Sequence, residues 1–351
     1  MNDRGRAIVA CVGIGLIFLL VQLGALAVVD PLEAGGNQFV EDTSDPTISA
    51  LYVGAILVVT ALMLGAIKLG VDALIRAFVV FAGAYISLFV FRIVVPPVLT
   101  VPVGGQSINA LAWGGAVALG IALYVHPEWY VIDAAGIVMG IGAAGLFGIN
   151  FGILPALVLL AVLAVYDAIS VYGTEHMLTL ASGVMEMRVP IVLVVPLSLS
   201  YSFLDTDPPD PGSEDAGDEE ASATANGGGE NAGDGEGGDG GAGDDEFELE
   251  REALFIGLGD AVIPAVMVAS AAFFVRDVPA VSLPGLDVPL PAATAMVGTL
   301  AGLAVLLWMV LKGRAHAGLP LLNGGAIGGY LVGALLAGLS LVEALGLSGL
   351  L

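Results

Sequence analysis

Two aspartates stand where an apolar sequence has little reason to put them. Asp167 lies in LAVYDAISVYG and Asp260 in ALFIGLGDAVIPAVMV, each with apolar residues on both sides. An aspartate at the centre of a membrane helix costs about 2.5–3.5 kcal/mol on insertion scales, so one that is kept needs a partner or a task. Two such carboxyls brought together can share one proton and titrate as a unit, which avoids burying two full charges. The pair then has two chemical uses. One carboxylate can take a proton from water while its protonated partner polarises a peptide carbonyl, as in aspartic proteolysis. Alternatively, the pair can relay protons or cations in an ion channel or an ion-coupled transporter. Helix packing is a third, purely structural use. The residues by themselves leave all three open.

Other hydrolytic designs fit poorly. His126, His176 and His316 are isolated, and no H-E-x-x-H pair is present for zinc. No G-x-S-x-G nucleophile occurs. Cys11 is the single cysteine, so no internal disulfide or multi-cysteine metal site can form. The expectation is therefore chemistry with no metal and no organic cofactor. Lys and Arg total ten and are scattered, which gives no basic patch for nucleic acid.

The elements that must position the two acids are apolar helices. The 351 residues are 57% hydrophobic and 13% charged, against about 25% charged in a soluble domain. The bilayer is thus the first partner. A span needs about 20 apolar residues, and nine stretches qualify: 7–29, 48–70, 73–95, 107–125, 131–149, 151–173, 253–275, 288–311 and 318–341. The expected fold is an all-α polytopic membrane protein with nine transmembrane helices. Residues 7–29 are too long for a signal-peptide core of about 7–15 residues and read as a retained first span. GINFG is the expected turn between the fifth and sixth.

Three parts follow. Residues 1–204 hold six spans and a segment, 174–204, in which HMLTLASGVMEMR reads as interfacial and PIVLVVP as extended. Residues 205–246 are a Gly-rich acidic linker with no apolar face, expected to be disordered. Residues 247–351 hold three spans. The formal net charge of −24 is concentrated around the linker: residues 205–252 carry eighteen of the thirty-four acids. With the N-terminus cytoplasmic, eight of the ten basic residues fall inside (Arg4, Arg6, Lys68, Arg76, Arg188, Arg251, Lys312, Arg314) and two, Arg92 and Arg276, outside. The linker is then cytoplasmic and the C-terminus extracellular. Asp167 and Asp260 each lie six or seven residues from the cytoplasmic end of an expected helix, roughly 10 Å deep at about 1.5 Å per residue.

Tyr166–Asp167 (YD) and Gly257–Leu258–Gly259–Asp260 (GLGD), in this order, resemble the paired motifs of the presenilin and signal peptide peptidase family of intramembrane aspartyl proteases. The stretch YDAISVYGTEHMLTLASGVMEMR looks most like the archaeal presenilin homologues. The resemblance implies nine transmembrane helices, with YD on the sixth and GxGD on the seventh. It implies an intramembrane aspartic endopeptidase that cuts a transmembrane peptide or protein, with Asp167 and Asp260 catalytic and water as nucleophile. A third family motif, Pro-Ala-Leu, opens the ninth helix close to the active site. It is matched here to Pro320–Leu321–Leu322, with Leu321 replacing the alanine. The family also implies a strand formed between substrate and the flanks of the linker; PIVLVVP and EFELERE are the candidates. A homo-oligomer is compatible with all of this.

The neighbouring residues carry further expectations. Gly257 and Gly259 serve either packing or close approach of a substrate backbone. Tyr166 reads as a core aromatic, or as a hydrogen-bonding residue that orients the site. Pro155 and Pro264 are expected to kink their helices. Gly325, Gly329 and Gly333, and Gly136 and Gly140, form small faces for helix contact. Asp30, Asp72, Asp133 and Glu343 read as interfacial acids.

Overall fold

The computed structural model describes residues 3–40, 47–69, 71–104, 106–173, 192–197, 201–202, 253–312 and 317–347. The readings made for HMLTLASGVMEMR, the acidic linker and EFELERE lie outside them. In chain order the elements are α1 (Asp3–Ala34), α2 (Thr47–Lys68), α3 (Asp72–Val94), β1 (Thr100–Val103), β2 (Gln106–Asn109), α4 (Ala110–Val125), α5 (Trp129–Asn150), α6 (Ile153–Gly173), β3 (Val192–Pro196), β4 (Ala253–Gly257), α7 (Leu258–Phe274), β5 (Ala280–Leu283), β6 (Leu286–Pro289), α8 (Leu290–Val310), α9 (Gly318–Leu336) and α10 (Leu341–Ala344).

The chain is a mostly helical polytopic membrane protein. Among the described residues six helices are long and apolar enough to cross a membrane: α1, α3, α5, α6, α8 and α9. Three shorter apolar segments, Val53–Met63 in α2, α4 and α7, accompany them. Large apolar side chains such as Leu62, Phe81, Val117, Val165 and Leu336 are exposed to the surroundings, as a lipid-facing surface requires.

The helices are not the whole fold, and the all-α expectation is corrected in detail. Three two-stranded antiparallel sheets pair β1 with β2, β3 with β4 and β5 with β6. Two are hairpins just ahead of α4 and α8, with Gly104 and Gly285 in the left-handed region at the turns, where only glycine is free of a Cβ penalty. The expected spans at 107–125 and 288–311 therefore begin as strand and become helix at Ala110 and Leu290. The third sheet joins distant segments. Val192 lies opposite Gly257, Val194 opposite Phe255 and Pro196 opposite Ala253. The extended reading of PIVLVVP is met over its described part, Val192–Pro196. The expected helix from residue 253 is not: its first five residues are strand, paired to β3, and α7 starts at Leu258.

Helix α7 sits at the centre. Residues Asp260, Ala261 and Pro264–Ala271 are all buried, packed against α1, α5, α6, α8 and α9. Pro264 lies inside α7 as expected, whereas Pro155 falls in the first turn of α6, where a missing N–H costs nothing. The turn between α5 and α6 is at Phe151–Gly152, within GINFG. Just beyond the C-terminal end of α7, Arg276 pairs with Asp30 at 2.8 Å and Glu33 at 3.1 Å, putting the C-terminal ends of α1 and α7 on one side of the bundle.

The tightest contact is between α8 and α9. A Cβ on Gly298 would run into the carbonyl of Gly325, one on Gly329 into that of Thr294, and one on Gly302 into that of Leu321. Gly325, Gly329 and Gly333 thus form the packing face the four-residue spacing predicted. On α5, Gly140 makes the expected helix contact, against Val21 of α1, whereas Gly136 faces Leu193 of strand β3.

Candidate active site

The strand–helix switch puts Asp260 in a different place from the one its apolar flanks suggest. It is the third residue of α7, with Gly257 as the cap, not a residue two turns into a helix. Backbone N–H groups of a first helical turn have no intrahelical acceptor, and the helix dipole favours negative charge there. Asp260 is buried, 6% exposed.

Asp167 approaches from α6. It is 2% exposed, and its Oδ2 accepts a hydrogen bond from the N–H of Leu319 at 3.1 Å. Leu319 is the second residue of α9. Asp167 therefore occupies the amino end of one helix while Asp260 belongs to that of another. Helices α6 and α7 pack against each other, and both pack against α9. Among the described residues no cation is paired with either, and no group of three or more His, Cys, Asp or Glu is placed to hold a metal ion.

The residues around the pair divide sharply. Gly257 backs Asp260: a Cβ there would sit 3.4 Å from its Oδ2. Gly259 is exposed, and a Cβ on it would meet nothing nearer than Ile263 at 3.9 Å. Leu258 is partly buried against the core formed by α1, the β3–β4 ribbon and α8. Tyr166 is 43% exposed, so the core-aromatic expectation is corrected; adjacent residues on a helix point about 100° apart, and with Asp167 inward Tyr166 turns out.

Pro320–Leu321–Leu322 is in the first turns of α9, and Pro320 marks the helix start as expected. Yet the group that touches Asp167 comes from Leu319, one residue earlier. Leu322 is fully buried with Ala261, Leu303 and Ile256, and Leu321 abuts Gly302. Sequence reasoning missed Leu319. Its signal was available: a proline in a first turn implies free amides on the residues just ahead of it. Asn323 was missed too. It is fully buried, and its Nδ2 donates to the carbonyl of Leu160 at 2.9 Å, tying α9 to α6 about two turns ahead of the aspartate.

Apolar helices bundled around a strand-led helix, with two buried carboxyls converging on helix amino ends, define a polytopic membrane protein equipped for aspartate chemistry. Comparison with known proteins makes this specific. The family described as signal-peptide peptidase, presenilin aspartyl protease, matches residues 15–339. Two solved structures of a presenilin family intramembrane aspartate protease, in space groups C222 and P2, are each 32% identical to this chain. The first matches with a TM-score of 0.58 over 93% of this chain and 99% of the other. The second has a TM-score of 0.57 over 93% and 97%. No curated protein matches. The chain belongs to the signal-peptide peptidase and presenilin family, and it is an intramembrane aspartyl protease. Family membership makes hydrolysis the activity of the chain.

Proposed function

We propose that Asp167 and Asp260 are the catalytic pair and that the enzyme cuts the backbone of transmembrane proteins. The observation that carries this is their convergence: two buried acids on the packed helices α6 and α7, with the Leu319 N–H on one of them. One carboxylate takes a proton from a water molecule. The water oxygen bonds to the peptide carbon while the protonated partner polarises the carbonyl oxygen. Collapse breaks the C–N bond, and the proton passes to the leaving amine. The Leu319 amide holds Asp167 in place. A reactive state with one shared proton gives a bell-shaped pH–rate profile that belongs to the pair, not to either acid.

Tyr166, Gly257, Leu258, Gly259, Pro320, Leu321 and Leu322 surround this centre in the proposal. Gly259 leaves room for a substrate chain, and Gly257 for the Asp260 carboxyl. Nine spans, a cytoplasmic N-terminus and an extracellular C-terminus complete it. The basic residues support that orientation, and the pairing of Arg276 with Asp30 and Glu33 supports a common side for the C-terminal ends of α1 and α7.

The test uses full-length protein reconstituted in lipid with a single-span peptide. Asp167→Ala and Asp260→Ala each lower cleavage on the order of 10³-fold or more, because a group acting in the transition state is lost. Cleavage at the wild-type rate by either variant overturns the assignment.

A further inference from the structure

Strand β3 is held along both edges. On one it pairs with β4. On the other, the N–H of Val194 donates to Oδ1 of Asp133 in α5 at 2.7 Å. Asp133 is not the interfacial acid its position suggested: it is 8% exposed, and among the described residues it has no cationic partner. One turn on, α5 carries Gly136, where a Cβ would lie 2.8 Å from Cδ2 of Leu193. At the next turn a Cβ on Gly140 would lie 3.4 Å from Val262 of α7. Glu128, which caps α5, accepts from the Ser202 hydroxyl at 2.7 Å, securing the chain beyond β3. One helix face thus carries the strand, its exit and the buried helix α7.

A two-stranded ribbon is marginal alone and prone to slip register, and a one-residue slip turns every side chain to the opposite face. Here slippage has a direct consequence. Strand β4 runs without a break into the Gly257 cap, and Asp260 follows three residues later. Whatever fixes β3 therefore fixes where α7 begins.

We infer that Asp133 is a positioning residue for peptide hydrolysis: by accepting the Val194 amide it pins the β3–β4 ribbon and so sets Asp260 opposite Asp167. This rests on Asp260 being one of the reacting pair. Asp133 never meets the substrate. Its carboxyl oxygen supplies the acceptor for a buried backbone amide that would be costly to leave without one.

The experiment compares Asp133→Ala, Asp133→Asn, Val194→Pro and the double variant Asp133→Ala/Val194→Pro, as full-length protein in lipid with a single-span peptide. Proline at 194 removes the donor and leaves the carboxyl. Asp133→Ala lowers kcat by about 10- to 100-fold with KM changed by less than about twofold, as expected for a small misplacement at the reacting centre. Asp133→Asn keeps an acceptor oxygen and returns to within about fivefold of wild type. The double variant is no slower than Asp133→Ala alone, since both changes remove one bond. Hydrogen–deuterium exchange at Val194 is slow in wild type and Asp133→Asn and fast in Asp133→Ala. The inference is overturned by wild-type kcat in Asp133→Ala, by equal losses in Asp133→Asn and Asp133→Ala, by additive losses in the double variant, or by unchanged exchange at Val194. An active Asp260→Asn enzyme is a separate failure: it removes the catalytic assignment, while Val194 exchange still reports whether the anchor exists.

Discussion

Gly257 and Gly259 look equivalent in GLGD and are not. A methyl group on Gly257 would touch the Asp260 carboxyl at 3.4 Å, while one on Gly259 would enter nearly open space. The backbone at Gly257, φ −59 and ψ 132, is one that alanine adopts freely. Gly257→Ala therefore leaves the fold intact and lowers kcat by less than about tenfold, because the added methyl only comes into contact with the carboxyl. Gly259→Ala keeps kcat and raises KM about 5- to 30-fold, the equivalent of the roughly 1–2 kcal/mol that a lost close approach costs. Steady-state kinetics on a single-span peptide, with Tm in detergent as control, separates the two. The acids themselves were legible because a buried charge is costly enough to stand out from any apolar background. Asp133 was not, since four residues past the start of a helix looks like the membrane surface. What makes it internal is Val194, sixty-one residues away, and no local pattern carries that distance.

Elements were legible in proportion to how local their causes are. The long apolar helices follow from their own composition. Strand β4 does not: ALFIG continues the apolar run of α7, and a short buried strand cannot be told from helix by periodicity. Its partner VLVVP, bounded by prolines, was the readable half of the pair. The α8–α9 contact lies between these cases, with spacing that gave the face but not the neighbour. It yields a paired prediction. Gly329→Leu drives a side chain into the Thr294 carbonyl, whereas Gly328 has nothing within 4 Å of its Cβ. Overpacking of this kind costs about 3 kcal/mol or more and lowers Tm by roughly 5 °C or more. Proteolysis falls with it, because α9 carries the Leu319 amide. Gly328→Leu stays within about 0.5 kcal/mol of wild type. Thermal unfolding followed by circular dichroism checks both.

At the scale of the whole molecule, the segment after residue 252 is not an appendage. Helix α7 is packed against α1 and α5, and α9 against α6. A protease site inserted in 205–246 and cut in the purified protein should therefore leave two fragments that co-purify and retain most of the uncut activity; affinity pull-down followed by a cleavage assay measures this. Separation of the fragments without denaturant would show that chain continuity, not packing, holds the centre together. The same architecture sets where the enzyme tolerates stiffening. Gly54 and Gly114 have empty space around a would-be Cβ, and both lie in helices, so alanine there offers about 0.4–1 kcal/mol by restricting the unfolded chain. The seam between α8 and α9 offers no such freedom: evolution and engineering alike must reshape the catalytic protein from its lipid-facing rim inward.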